Sequence, residues 1–325
     1  MAQKNSETVT LKTTQTRRDF LFQSGAVLAS LATAGTVPAA MAADAAFPHS
    51  SGQEHASRSL PANACDCHMH IYDDRFAPVP GARLAHPAAT VAMYRQIQKR
   101  NGTTRTVVVT PSAYGTDNSC TLDALAQLGA DARGVAVVAK DVSDGEPARL
   151  DQAGIKGLRF NVAITSVMTP DMIEPMARRI APLGWHLQLN MSNDDLLAHR
   201  DMLSRLPVPI VFDHFAKIPV QDSASHPVFK FVTELLAEKC AYIKLSGAYL
   251  VSKIGAPGYG DVAPLARKLV DLAPTQVLWG SDWPHPTEQH KPDDAALVDM
   301  MVHWAGSREK LQALLVDNPA RLYHF

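Results

Sequence analysis

Two imidazoles and a carboxylate stand at alternate positions in the stretch Ala64-Cys65-Asp66-Cys67-His68-Met69-His70-Ile71-Tyr72-Asp73. Side chains along a β-strand alternate between faces. The spacing therefore predicts Asp66, His68 and His70 on one face, with Cys65, Cys67, Met69 and Ile71 on the other. The first face carries ligand and proton-transfer groups, and the second is soft and apolar. That division suits a strand whose polar end opens into a reactive site better than a solvated sheet edge. Further along, other segments end in groups of the same kind: Arg159 and Asn161, then His186 with Gln188 and Asn190, then Asp213-His214. Lys244-Leu245-Ser246-Gly247 follows, with Tyr249 just beyond, and last comes Ser281-Asp282-Trp283-Pro284-His285. Each alone has a structural account: a strand-end histidine is usually framework, and a lysine can reach back to solvent. Their recurrence at the ends of separate strands argues for one shared site.

The elements that must position these groups repeat a single pattern of short apolar strand, turn and amphipathic helix. Strands are predicted over 65–71, 106–109, 134–138, 155–161, 185–190, 210–214, 242–246 and 276–280. Thr106-Val107-Val108-Val109 is the β-branched run expected of a strand buried on both faces. Asn101-Gly102 is a helix stop, and Thr169-Pro170-Asp171 a helix start. Eight such units in about 260 residues predict a closed (β/α)8 TIM barrel with its active site at the C-terminal strand ends. An open doubly wound sheet would need a Gly-rich loop after the first strand, and Cys67-His68-Met69-His70 is nothing like one.

Composition narrows the partners. Of 325 residues, 46% are hydrophobic and 19% charged, and the formal net charge is -1, so bulk charge gives no reason to expect nucleic acid or an anionic membrane surface. Thr16-Arg17-Arg18-Asp19-Phe20-Leu21 is a twin-arginine pattern, followed by a mildly apolar run from Gly25 to Val37 and by Ala40-Met41-Ala42, a small-x-small cleavage site. The expected organisation is a cleavable twin-arginine signal peptide over 1–42, a flexible lead-in over 43–61 and a single barrel domain over 62–325. This predicts a periplasmic protein exported folded by the twin-arginine machinery, with no membrane association after cleavage. Export of a folded chain also agrees with prior loading of a metal. Of the four cysteines, Cys65 and Cys67 read as buried apolar residues rather than a disulfide, since an extended strand strains a bridge at that spacing.

Asp66-x-His68-x-His70, His186, His214 and Asp282 together resemble the amidohydrolase superfamily. Gly184-Trp185-His186-Leu187-Gln188, Phe212-Asp213-His214, Ile243 to Tyr249, Leu278 to Pro286 and Asn318 to Tyr323 are similar, in sequence and order, to its amidohydrolase-2 branch. That branch includes 2-pyrone-4,6-dicarboxylate lactonases, sulfomuconolactone hydrolases, sugar lactonases and galactarolactone isomerases. The resemblance implies hydrolysis of a small carboxylate-bearing lactone, with lactone isomerisation as the second enzyme reading and an exported lactone-binding protein as the non-enzymatic one.

The chemistry asks for an activated water, a polarised carbonyl and a stabilised leaving oxygen. Asp282 is the expected base. His68, His70 and His186 would polarise the carbonyl as donors or, with Asp282, hold one Zn²⁺ that does so; the expectation is one ion or none. His214 would serve the oxyanion or ring oxygen. Arg159 suits a bidentate grip on a substrate carboxylate, with Asn161, Lys217, Ser246 and Tyr249 as further substrate contacts. Lys156 falls on the face opposite Arg159, which argues against a carbamylated bridge between two metals.

Overall fold

In a computed structural model, which describes residues 47–164 and 167–325, eight short strands form one parallel sheet in chain order. They are β1 (Cys65–Met69), β2 (Arg105–Val109), β3 (Ala132–Ala136), β4 (Ile155–Phe160), β5 (His186–Leu189), β6 (Ile210–Phe212), β7 (Ala241–Leu245) and β8 (Val277–Trp279). Helices between them bury one stripe each. In Ile173–Ile180 that stripe is Ile173, Met176, Ala177 and Ile180, the spacing of an amphipathic helix. Helix Val91–Asn101 starts where the Thr90 side chain accepts from the Met93 N–H, and stops at Gly102, whose positive φ ends it.

The circle closes between the end of β8 and β1. Asp282 N–H donates to the His68 carbonyl and His70 N–H to the Trp283 carbonyl, both at 2.8 Å. A Cβ on Gly280 would stand 2.5 Å from His68 Cβ, so only glycine lets the strands approach there. The eight parallel strands and their helices thus make the expected TIM-type barrel.

Strict alternation fails on β1. Its register against β2 shifts between Asp66 and Met69, the mark of a bulge. Asp66 consequently faces outward, where Tyr94 of helix Val91–Asn101 donates to it at 2.9 Å. It also accepts from the Ser281 N–H (2.9 Å) and Ser281 hydroxyl (2.6 Å), pinning β8 to β1. Cys65 and Cys67 pack inside the barrel with Val107, Val109, Val135 and Val211, whereas Met69 and Ile71 join the sheet–helix layer. The expectation that Asp66 shares a face with His68 and His70 is corrected: the extra residue turns only the histidines inward. All four cysteines are free thiols.

Of the lead-in expected over 43–61, residues 47–61 lie against the barrel. Trp283 Nε1 donates to the Pro48 carbonyl at 2.8 Å, and Ser51 N–H to the Pro292 carbonyl at 3.0 Å. The twin-arginine segment falls outside the described residues.

Candidate active site

Most of the polar groups meet at the C-terminal end of the barrel. His70 Nδ1 is 2.7 Å from the Val109 carbonyl, which fixes the proton on Nδ1 and aims Nε2 into the site. His68 Nδ1 lies 3.2 Å from Asp213 Oδ1, and its Nε2, buried, has no hydrogen-bond partner. Both Nε2 atoms stand 3.5 Å from Asp282 Oδ1. Asp282 holds this place with φ at 63°, a left-handed conformation sparsely used by residues other than glycine.

The chain after β6 turns sharply. His214, Phe215, Ala216 and Lys217 have φ between 48° and 56°, a left-handed turn that side chains other than glycine disfavour. It delivers His214 and Lys217 to the same cavity. The His214 ring stands 4.8 Å from the His68 ring, and its Nδ1 is 3.0 Å from Ser246 Oγ.

Beneath His68 sits a buried charged layer. Asp213 Oδ2 accepts from Arg159 Nε (3.1 Å) and Gln188 Nε2 (3.2 Å). Lys244 Nζ donates to Gln188 Oε1 at 2.7 Å and lies 3.3 Å from His68 Nδ1. Burial opposes charge on Asp213, but the cations around it prevail and hold it well below the usual carboxylate range. Burial lowers the His68 and His214 imidazoles, keeping both neutral, and brings Lys244 down to about 8. Asp282 is also held ionised, because the imidazoles of His214, His70 and His68 outweigh its burial.

Above this layer lies a cavity of about 150 Å³, lined among others by His70, Arg159, Asn161, His214, Lys217 and Asp282. That is room for a single small ring. Two cations, Arg159 and Lys217, and one carboxylate, Asp282, line it, so its walls suit an anionic guest.

His68, His70 and Asp282 bring ligand atoms within 4.8 Å of one another, as a mononuclear metal site requires. The donor set fits one divalent ion. Both histidines are tied at Nδ1 and offer Nε2, the arrangement that orients metal-binding imidazoles, and the unpartnered Nε2 of His68 is the atom such an ion would satisfy.

The protein-family comparison matches residues 65–325 to the Amidohydrolase model. The chain belongs to the amidohydrolase family. This amidohydrolase is 37% identical over 277 residues to a 2-pyrone-4,6-dicarboxylate hydrolase of Comamonas testosteroni, covering 81% of this chain and 91% of that one. It is 29% identical to a 4-sulfomuconolactone hydrolase of Hydrogenophaga intermedia over 81% of this chain and 89% of that one. A crystallised Acinetobacter baumannii protein with citric acid bound superposes with a TM-score of 0.70 at 26% identity, covering 81% of this chain and all of that one.

Three expected site residues stand elsewhere in the amidohydrolase. His186 opens β5 at the barrel floor, beneath Gln188, with its ring 5.2 Å from that of Tyr323 and both nitrogens unpartnered. It joins neither group of potential metal ligands among the described residues. Alternation along β5 put His186 and Gln188 on one face correctly, but a face extends over the full depth of the barrel. Ser246 is bonded to His214 rather than lining the cavity, and Tyr249 is bonded to Asp282. Conversely, Asp213, Gln188 and Lys244 underpin the site. Their signal was inward alternation with Arg159 on neighbouring strands, the pattern that fills a barrel interior.

Proposed function

We propose that this amidohydrolase hydrolyses a small lactone bearing one or more carboxylates. The observation that carries the reading is Asp282 Oδ1, 3.5 Å from two imidazole nitrogens, in a cavity that Arg159 and Lys217 also line. Arg159 spends its Nε on Asp213, leaving the outer edge of its guanidinium for a substrate carboxylate, and Lys217 serves a second anionic group. This agrees with relatives named for a pyrone dicarboxylate and a sulfonated lactone.

Asp282 takes a proton from a water held against the lactone carbonyl carbon, and the resulting hydroxide adds to that carbon. The Ser246 hydroxyl, donating to His214 Nδ1, leaves His214 Nε2–H for the developing oxyanion. Collapse breaks the ring C–O bond, and the proton on Asp282 passes to the leaving oxygen. The product is one carboxylate and one hydroxyl, with a net proton released to solvent. His68 and His70 turn Nε2 towards Asp282 Oδ1, and the three would hold a divalent ion between them. A bound Zn²⁺ would supply Lewis-acid polarisation of the carbonyl. Export by the twin-arginine route, read from Arg17-Arg18, would place this activity in the periplasm; Lys at both positions should leave the protein in the cytosolic fraction.

The test is proton release from a lactone panel, with and without a chelator. Carboxylated lactones should turn over and uncharged ones lag far behind. Asp282→Asn should lower kcat by roughly 10³-fold or more while the fold melts normally. Full activity in that variant would overturn the assignment of the base, and substrate loss without acid release would indicate isomerisation.

A further inference from the structure

Behind Asp282, away from the cavity, three side chains continue the line of polar contacts. Tyr249 OH donates to Asp282 Oδ2 at 2.6 Å and lies 3.1 Å from His285 Nδ1. His285 Nε2 is 3.1 Å from Asp294 Oδ2. The side chains of His285 and Asp294 are fully buried. His285 also takes a left-handed φ of 56°, and its backbone is anchored at both ends: its N–H donates to the Asp282 carbonyl at 2.7 Å, and its carbonyl accepts from Lys291 Nζ at 2.8 Å. Asp294 opens helix Asp294–Ala305, with its N–H on Ser50 Oγ.

The donor and acceptor inventory gives this chain a direction. Tyr249 has one proton to place, and Asp282 Oδ2 and His285 Nδ1 both lie within its reach. The short contact is the one to Asp282, as expected of a bond to an ionised oxygen. His285 Nε2–H donates to Asp294 Oδ2, which holds the ring with Nδ1 3.1 Å from the Tyr249 oxygen.

We propose that Tyr249, His285 and Asp294 form a positioning relay that ties down Asp282 Oδ2, so that Oδ1 alone faces the reacting water. The relay rests on the reading of Asp282 as the base. Oδ2 is held from outside the cavity and Oδ1 is shared between His68 and His70, so the two oxygens have different tasks. Tyr249 is a positioning residue in this account, not a contact to the substrate carboxylate.

Kinetics of the mature chain on its best lactone test this. Tyr249→Phe should lower kcat roughly 10- to 100-fold with KM nearly unchanged; a substrate contact would instead raise KM. Asp294→Asn should lower kcat in the wild-type background but add little in the Tyr249→Phe background, because its effect passes through Tyr249. His285→Gln serves as the second entry to the cycle should Asp294→Asn melt early. A rise in KM alone, or full additivity of the two losses, would overturn the relay. An active Asp282→Asn would instead overturn the base, whatever the cycle shows.

Discussion

Asp213 stands behind His68 as its anchor, with Oδ1 3.2 Å from His68 Nδ1 and both side chains shut off from solvent. The same carboxylate neutralises Arg159 at 3.1 Å and lies 3.8 Å from Lys244 Nζ. Removing one member of a buried charge cluster leaves the others uncompensated, a loss of about 3–5 kcal/mol. Asp213→Asn should therefore lower the denaturant midpoint strongly and cut kcat, since the His68 ring loses its tether. Adding Lys244→Met to that variant should recover part of the midpoint. A single variant with an unchanged midpoint would contradict this role.

His186 predicts the opposite pairing of effects. Burial, with Lys244 nearby, pushes its imidazole down to about 3, against an ordinary value near 6.5. Between those values the unfolded chain binds a proton that the folded chain refuses. Stability should fall as pH drops from about 6.5 towards 3, by up to roughly 1.4 kcal/mol per pH unit from this group. In His186→Gln that slope should shrink when melting is followed from pH 7 to 4. Since the ring packs on Tyr323 rather than on Asp282, kcat should stay within severalfold. Loss of activity with an intact fold would restore His186 to the site.

Activity should follow a bell in pH with both limbs set by burial. Neutral His214 and ionised Asp282 are needed together, and burial keeps His214 neutral below its ordinary value. The acid limb of kcat/KM should thus lie below pH 6.5. On the alkaline side Lys244, lowered to about 8, loses the charge that helps keep Asp213 ionised and His68 oriented. The rate should decline above about pH 8, and Lys244→Met should lose that limb while running slower throughout. A profile flat to pH 10 in the wild type would exclude Lys244 from this part.

The sequence made the barrel legible because eight apolar runs alternate with helix starts and stops, and a period that regular survives local error. His68, His70, His214, Asp282, Arg159 and Lys217 were legible as strand-end groups for the same reason. Depth and register were not. His186 shares the inward face of β5 with Gln188, yet it sits one layer lower, and periodicity measures direction rather than height. Asp66 reads as a third member of the His68–His70 face until the bulge before Met69 adds a residue. Ser246 falls just past the end of β7 and Tyr249 in the short 3-10 turn Ala248–Leu250, where strand alternation no longer holds, and the structure turns them onto His214 and Asp282 rather than into the cavity.

The segment before the barrel was the least legible, and it carries the last prediction. Proline and serine make residues 47–61 look like tether, but buried Arg100 at the end of helix Val91–Asn101 reaches back to it. Its guanidinium donates to the Glu54 and Ser51 carbonyls, to Ser50 Oγ and to Asp293 Oδ1, and lies over the Phe47 ring at 4.5 Å. Ser50 Oγ in turn accepts from the Asp294 N–H, and Asp293 caps the helix that Asp294 begins. A chain starting at residue 62 would leave Arg100 with Asp293 alone and the Trp283 indole N–H without the Pro48 carbonyl, at a cost on the order of 3 kcal/mol. It should melt well below a chain starting at residue 43. It should also lose kcat beyond what heat instability explains when assayed far below its midpoint, because Asp294 is left less fixed behind His285. Equal midpoints for the two chains would return the segment to the status of a tether. A lower midpoint with normal kcat in the cold would confine its role to stability.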